Sequence, residues 1–533
     1  MAFSEEQLHA INSNSRTILC LASAGSGKTT VLVNRAFRLV SEGVNPRNIL
    51  SLTFTNAAGF EMGQRYKKLS QDNPAQPEFR TFHSFAYSLV VRDLSIRSAL
   101  GYTKVPGICD EAQFKKLKTE VRMQLKIVLS DEELASDGSE LSMRDKKQYE
   151  LFHKHLKTSM LQQNLITFDM LNNDVSELFA KNHEATLRYK QKYEYIHVDE
   201  FQDTDDAQMR FLNSFPDTVH FFLVGDALQN LYAFRGCSNK YIKMLSKDKN
   251  WEKIYLTNNY RSTNQICNYA NKFTSAYADS SYRLEMRGQR DGEEVEVYYG
   301  AHSSFDSPVS YNHLKKVVEK VKASDEECAI LCRTNREVQC VCEMFKDFDI
   351  PYVTSNKSTD DKDLLQSALD NDYMLNWLST FLDNTKYAEY IRLAAQLDAP
   401  DIRWFLSTYG SDSKIKPKAN KIIEIRKILS SSLPLGEQFE KIVKLVKTKI
   451  PEYNLDGITG PNSLIQYIIE LITKVEEHRV YVGTIHSSKG LEYEHVYLMG
   501  VGDKAFPLDC EENRNCYYVG LTRAKNKLTV FKA

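Results

Sequence analysis

Ala22-Ser23-Ala24-Gly25-Ser26-Gly27-Lys28-Thr29-Thr30 is the stretch on which the reading of this chain turns. Before it, Thr17-Ile18-Leu19-Cys20-Leu21 is a short apolar run that predicts a buried strand. After it, Val31 to Val40 set Leu32, Ala36, Leu39 and Val40 on one helical face, and Gly43 is placed to end that helix. Strand, glycine-rich turn and helix in succession collect backbone N–H groups on phosphate, because the helix dipole favours an anion at its N-terminus. The segment Ala24, Gly25, Ser26, Gly27, Lys28, Thr29 and Thr30 is therefore expected to hold a nucleotide. Lys28 would reach the β- and γ-phosphates and the Thr29 hydroxyl would hold Mg²⁺. Ala22 stands where the strict pattern has its first glycine.

The chain has 533 residues, 42% hydrophobic and 26% charged, enough for about three to four domains at ~150 residues each. A formal net charge of −1 excludes a globally basic coat, so any nucleic-acid binding has to come from a local groove. Met1 to Glu6 carry neither the basic nor the apolar part of a secretory leader, and no uninterrupted apolar run approaches the ~18 residues of a membrane span. Neither secretion nor a membrane partner is expected. Among the cysteines, Cys328, Cys332, Cys340 and Cys342 cluster, but their spacing does not match zinc pairs. Cys328 and Cys332 flank Ala329-Ile330-Leu331 and read as core residues, so a reducing, cytoplasmic location is expected.

Further strands are predicted at 49–53, 195–198, 221–224, 253–256, 295–299, 328–331, 480–484, 496–499 and 527–531. Helical patterns separate many of them, which argues for an α/β fold with largely parallel sheets. Residues 90–168 and 361–475 break the alternation and read as helical, the first with a Ser/Asp/Gly loop at 130–142. The second contains Tyr373 to Leu382, Phe439 to Val446 and Leu464 to Ile472. The layout is that of two α/β cores, each interrupted by a helical insertion.

A phosphate loop also needs a carboxylate on Mg²⁺ and a group that activates water. Tyr195-Ile196-His197-Val198-Asp199-Glu200 offers both at a strand end, with Asp199 on the metal and Glu200 as general base. Asp199 to Thr204, and Val224 to Gly236 with its Gln229, Tyr232, Phe234 and Arg235, resemble motifs II and III of superfamily 1A helicases, the UvrD/Rep/PcrA group. The resemblance continues in order. Gln7 falls at the family's adenine-reading glutamine, and Leu52 to Ala58 with Glu61-Met62 match motif Ia. Thr81 to Ala86 match the next DNA-contacting motif, and Ile166 to Leu171 look like the segment that re-enters the core. Asn259-Tyr260-Arg261-Ser262 match motif IV, Ala329 to Asn335 motif IVa, Gly483 to Glu492 motif V, and Tyr518 to Ala524 motif VI. The match spans both α/β cores.

The resemblance implies two RecA-like parallel-sheet cores: 1–89 with 169–252, and 253–360 with 476–533. It implies helical insertions at 90–168 and 361–475. It makes Arg261 and Arg523 the two guanidinium fingers on the γ-phosphoryl group, with Arg235 reaching it from motif III. Tyr260 would stack on adenine, Glu492 would contact the ribose, and Gln229 would sense the γ-phosphate. Phe54, Tyr232 and Phe234 would stack on bases of a single strand, with Asn56, His83, Asn335 and His486 as further contacts. ATP and Mg²⁺ are the implied cofactors, and single-stranded and partial-duplex DNA the implied substrate.

The implied activity is an ATP-driven 3′→5′ translocase and helicase, with protein partners in replication, repair or defence. Two departures keep a second output open. Ser355 to Lys362 lack the Gly-x-Arg-Phe element of the family, and the sequence closes ten residues after Arg523. The alternative is an ATP-gated nucleic-acid sensor, or a helicase-like subunit of a larger complex such as an anti-phage assembly. A P-loop kinase leaves motifs V and VI without a role.

Overall fold

The computed structural model describes residues 3–70, 75–135, 141–231, 239–300, 310–354, 416–431, 433–446, 464, 479–502, 504 and 506–532. Its strands in the first half of the chain are β1 (Thr17–Ala22), β2 (Ile49–Thr53), β3 (Glu78–Thr81), β4 (Gly107–Ile108), β5 (Leu165–Ile166), β6 (Tyr195–Val198), β7 (His220–Gly225) and β8 (Glu252–Leu256). They continue as β9 (Asn258–Asn259), β10 (Arg287–Gly288), β11 (Glu296–Tyr299), β12 (Cys328–Cys332), β13 (Val353–Thr354), β14 (Val480–Thr484), β15 (Tyr493–Val501) and β16 (Ala524–Lys532). The chain forms two compact units, Met1–Tyr298 with Lys489–Lys532, and Tyr299–Ser488 with Ala533.

The first unit is built on a six-stranded sheet in the order β3-β2-β6-β7-β1-β8. Each adjacent pair is parallel. Strand alternation sends the side chains of β1 to two separate cores. Leu19 and Leu21 join Phe82, Phe85, Val175, Phe179 and Phe211 on one face, while Ile18, Cys20 and Ala22 join Val31, Leu32, Ala36, Met62 and Tyr66 on the other. Helices α1 (Glu5–Asn12), α2 (Lys28–Ser41) and α3 (Asn56–Leu69) contribute to the second core; α4 (Phe82–Arg92) and the helices Phe168–Ala180 and Asp206–Leu212 contribute to the first. Burial on both faces is why β1, β2 and β7 in the sheet read as largely apolar runs.

Because the strands are parallel, their carboxyl ends share one edge. Thr53 is opposite Thr81, Leu52 opposite Val198, Leu21 opposite Gly225 and Ala22 opposite Leu256. That edge is where open α/β sheets bind ligands.

The stretch 90–168 has its own small core, with Leu117, Val121, Phe152, Leu156 and Met160 from the helices Glu111–Leu125 and Met143–Gln162. It also holds the parallel pair β4–β5, which the helical reading omitted. Asp131–Ala135 is a short helix where the sequence reads as loop. Ser130 and Glu133 exchange backbone-to-side-chain bonds of 2.7 and 3.1 Å around its start, and Leu134 is buried in the core.

In the second unit β14 lies between β12 and β13, all parallel. The helix Asn335–Asp347 follows β12 and starts in a capping box of Thr334 and Glu337. The helices Lys416–Leu429 and Leu435–Val446 pack on each other, the latter covering the helix expected at 439–446. The helices expected at 373–382 and, beyond Leu464, at 465–472 lie outside the described residues. Among the described residues no helix is long and apolar enough to cross a membrane.

Candidate nucleotide site and nucleic-acid edge

The glycine-rich turn between β1 and α2 is anchored from three directions. Ser23 gives its N–H and hydroxyl to the Leu256 carbonyl at 3.0 and 3.1 Å, and Ser26 Oγ donates to the Ser23 carbonyl at 2.7 Å. The segment after β8 holds the other side: Asn259 Nδ2 donates to the Ala24 carbonyl and the Tyr260 N–H to the Gly25 carbonyl, both at 2.9 Å. Gly25 and Gly27 have φ of 67° and 83°, the left-handed region that side chains disfavour. A Cβ on Gly25 would also lie 2.7 Å from Asn259 Oδ1 and 2.8 Å from Arg261 Cβ. Gln7 sits behind the loop, with Nε2 donating to the Ser26 carbonyl at 3.0 Å and Oε1 accepting from the Ser4 N–H at 3.1 Å. Both ends of this amide, expected to read adenine, are thus engaged with protein. Thr30 Oγ1 accepts from Arg65 at 2.8 Å.

Lys28 is buried in the first turn of α2, next to Thr29. Thr29 Oγ1 donates to Asp199 Oδ2 at 2.9 Å, which brings together the two hard oxygen donors expected on Mg²⁺. One hydroxyl and one carboxylate suit an ion that takes its remaining oxygens from phosphates and water. Glu200 follows with φ 52° and ψ 40°, a strained conformation for a residue bearing a Cβ. Gln202 Nε2 donates to Glu200 Oε2, while Gln202 Oε1 accepts from the Asp226 N–H at 3.0 Å and the Gln202 carbonyl accepts from Asn230 Nδ2 at 2.6 Å. Burial, then the neighbouring Glu200, raises the Asp199 pKa. Burial also works to raise Glu200, but Lys28, Lys489, Gln202 and Arg523 outweigh it and hold that carboxylate below its ordinary value. Glu200 is thereby kept ionised, as a general base requires.

Gln229 lies on the neighbouring strand end, after β7. Its Nε2 donates to Asp226 Oδ2 at 2.8 Å and its Oε1 accepts from Arg523 Nη2 at 3.3 Å. Arg523 is 2% exposed and is further held by the carbonyls of Val519 at 3.1 Å and Leu491 at 3.3 Å. Burial, then the nearby Arg261, lowers its pKa to about 9. Arg261 donates to Glu492 at 2.6 Å and to the Thr522 carbonyl at 3.0 Å. Lys489 pairs with the buried Asp203 and donates to the Gln229 carbonyl at 3.2 Å. Gln7, Lys28, Thr29, Asp199, Glu200, Gln229, Arg261, Glu492 and Arg523 therefore all lie within the first unit. Tyr260 is partly exposed beside them.

Phe54 leaves the end of β2, and His83 is the second residue of α4, which starts directly after β3, so they follow adjoining parallel strands. The His83 ring meets Phe168 edge-on at 5.6 Å between centroids, and Phe168 is 49% exposed. Asn56 opens α3. Asn335 and His486 belong to the second unit, where each follows one of the paired strands β12 and β14. Tyr232, Phe234 and Arg235 lie outside the described residues. Along the first sheet the order is thus His83 and Phe54 at β3 and β2, then Asp199 at β6, Gln229 at β7 and the phosphate loop at β1.

Sequence reasoning gave no role to Gln202, Asp203, Asp226, Asn259, Lys489, Tyr518 or Phe168. Six of the seven lie inside the motifs named above beside other residues, and Phe168 opens the helix that starts in the segment resembling the family's re-entry to the core. A polar residue within four positions of a strand's carboxyl end, in a chain whose strands carry the site, is the signal that points to Gln202, Asp226 and Asn259.

Comparison with known proteins identifies the family. The UvrD/REP helicase N-terminal domain model matches residues 3–250, and the UvrD-like helicase C-terminal domain model matches 254–359 and 384–533. The chain is 26% identical to YjcD of Bacillus subtilis (strain 168) over 603 aligned residues, covering 98% of this chain and 78% of that protein. It is 25% identical to the ATP-dependent DNA helicase PcrA of the same organism, covering 99% and 82%. PcrA of Staphylococcus aureus (strain Mu50 / ATCC 700699) is also 25% identical, with 99% and 83% covered.

Proposed function

Because this chain belongs to the UvrD/REP family of ATP-dependent DNA helicases, we propose that it moves 3′→5′ along single-stranded DNA and separates duplex ahead of it. The observation that carries this reading is the arrangement along one sheet edge: aromatic side chains at β2 and β3, hydrolytic groups at β6, β7 and β1. A change at the nucleotide has only one or two strands to cross before it reaches the nucleic acid.

In this reading Lys28 and the loop N–H groups bind the phosphates. Thr29 and Asp199 hold Mg²⁺, which neutralises phosphate charge when bound. Glu200, braced by Gln202, takes a proton from the attacking water. Arg261 and Arg523 stabilise charge on the γ-phosphoryl group, an effect on the order of 10³–10⁵ in rate for such fingers. Gln229 couples Arg523 to the strand side. Tyr260 stacks on the base and Glu492 meets the ribose. Gln7 supports the loop from behind and exchanges its bond to Ser26 when it reads adenine. Phe54, His83 and Phe168 line the strand, together with Asn56, Tyr232, Phe234, Asn335 and His486. The cores and insertions run as the motifs delimit them, and the protein acts in the cytoplasm with partners in replication, repair or defence.

Unwinding of 3′- and 5′-tailed duplexes with ATP tests the proposal. Unwinding of the 3′-tailed substrate alone supports it. DNA-stimulated ATP hydrolysis with neither substrate unwound replaces it with the sensor or subunit reading.

A further inference from the structure

Tyr518 is almost wholly buried in the helix Glu511–Leu521, and its hydroxyl lies at the meeting point of three segments. The hydroxyl donates to Asp226 Oδ2 at 3.1 Å; its other acceptor is Met286 Sδ at 3.6 Å, a far weaker one. The backbone of Ala24 in the phosphate loop also meets the hydroxyl. Asp226 is fully engaged: Oδ1 accepts from the Leu228 N–H at 3.1 Å, and Oδ2 is shared by Tyr518 and Gln229 Nε2.

A carboxylate accepts and does not donate, so it binds the NH₂ end of the Gln229 amide and leaves the oxygen end facing Arg523. Were the amide reversed, its NH₂ group would meet the guanidinium and its oxygen would meet the carboxylate, and both contacts would be repulsive. The direction of Gln229, and with it the seat of Arg523, is therefore set by Asp226. Arg523 follows Tyr518 by five residues, so the chain Tyr518, Asp226, Gln229, Arg523 closes on itself around one helix end. The structure assigns Tyr518 as a positioning residue for ATP hydrolysis: its hydroxyl fixes Asp226, which orients Gln229 toward Arg523. This rests on the proposed roles of Gln229 and Arg523 and adds a residue to which the functional reading gives no part.

The test is a double-mutant cycle on the full chain, with single-stranded DNA present. Tyr518→Phe removes only the hydroxyl. It is expected to lower kcat for ATP about tenfold, the effect of losing a hydrogen bond to a charged group, with KM for ATP within about twofold of wild type. In a Gln229→Ala background the same substitution should change kcat by less than about twofold, because the group it orients is gone. An unchanged kcat in Tyr518→Phe overturns the inference, and so do two effects that simply multiply. If Tyr518→Phe melts well below wild type, Asp226→Asn breaks the same link at constant volume and must show the same dependence on Gln229; additive effects there also overturn it. Wild-type turnover and Gln229→Ala alone report separately on the underlying reading: a Gln229→Ala enzyme with wild-type kcat removes Gln229 from the reaction, whatever Tyr518 does.

Discussion

Thr29 Oγ1 and Asp199 Oδ2 are 2.9 Å apart although 170 residues separate them in sequence. The contact exists because β1 and β6 end on the same edge of one sheet, with only β7 between them. It brings the N-terminus of α2 and a strand-end carboxylate to one point, and Glu200, Gln202 and Gln229 gather around it.

Lys28→Ala should abolish ATP hydrolysis and leave the fold intact, since the ammonium serves the phosphates and α2 keeps its apolar face. Steady-state ATPase and thermal melting check this. Normal turnover would remove the phosphate-loop assignment.

Arg523→Lys keeps the charge but not the fork that spans Gln229, Val519 and Leu491. A drop in kcat on the order of 10³ is expected, the lower end for such fingers. A loss below tenfold in DNA-stimulated turnover would make Arg523 a packing residue.

Gln202→Leu preserves volume and removes the brace on Glu200. A misplaced base can cost on the order of 10² in rate, so kcat should fall by about that factor. Binding of a non-hydrolysable ATP analogue should change less than about threefold, because the phosphate turn is held through Ser23, Ser26, Asn259, Tyr260 and Gln7 rather than through Gln202. Equal losses in binding and turnover would argue against a role specific to Glu200.

Gly25→Ala should weaken ATP binding about tenfold and lower the melting temperature. The left-handed φ costs roughly 1–2 kcal/mol for a residue with a Cβ, and the methyl group presses on Asn259 and Arg261. Calorimetric titration with ATP measures the first effect; wild-type affinity would mean that the loop accommodates a side chain.

Phe168→Ala should weaken binding of single-stranded DNA by about 5- to 150-fold if its face stacks on a base, given ~1–3 kcal/mol per base. Phe168→Trp should retain it. Fluorescence anisotropy at fixed salt decides, and equal affinities across the three proteins would leave the ring a cover for His83.

The sequence reveals the parts of this fold that local pattern dictates. β1, the phosphate turn and α2 are legible from residues 17–43 because strand period, glycine spacing and helix period change within one short window. β3 is not: Glu78-Phe79-Arg80-Thr81 offers one apolar residue in four, and it holds an edge position where only Thr81 is buried. The motif residues were legible as a set, yet their partners were not. Asn259 reaches Ala24, and Tyr518 reaches Asp226, across more than 200 residues, and no period in the chain encodes such contacts. Gln7 illustrates the remaining gap. Its place near the nucleotide could be expected from resemblance, but its two bonds to Ser4 and Ser26 depend on how α1 is capped.

The position of β1 in the sheet also has a consequence for biogenesis. It pairs with β7 and β8 and with no strand that precedes them. A ribosome adding ~5–20 residues per second needs roughly 10–50 s to produce those partners after β1 emerges. For that interval Ile18-Leu19-Cys20-Leu21 is an apolar strand with both edges open, a segment that invites chaperone capture or misassociation. The chain must shelter its first strand before it can build the site that strand carries.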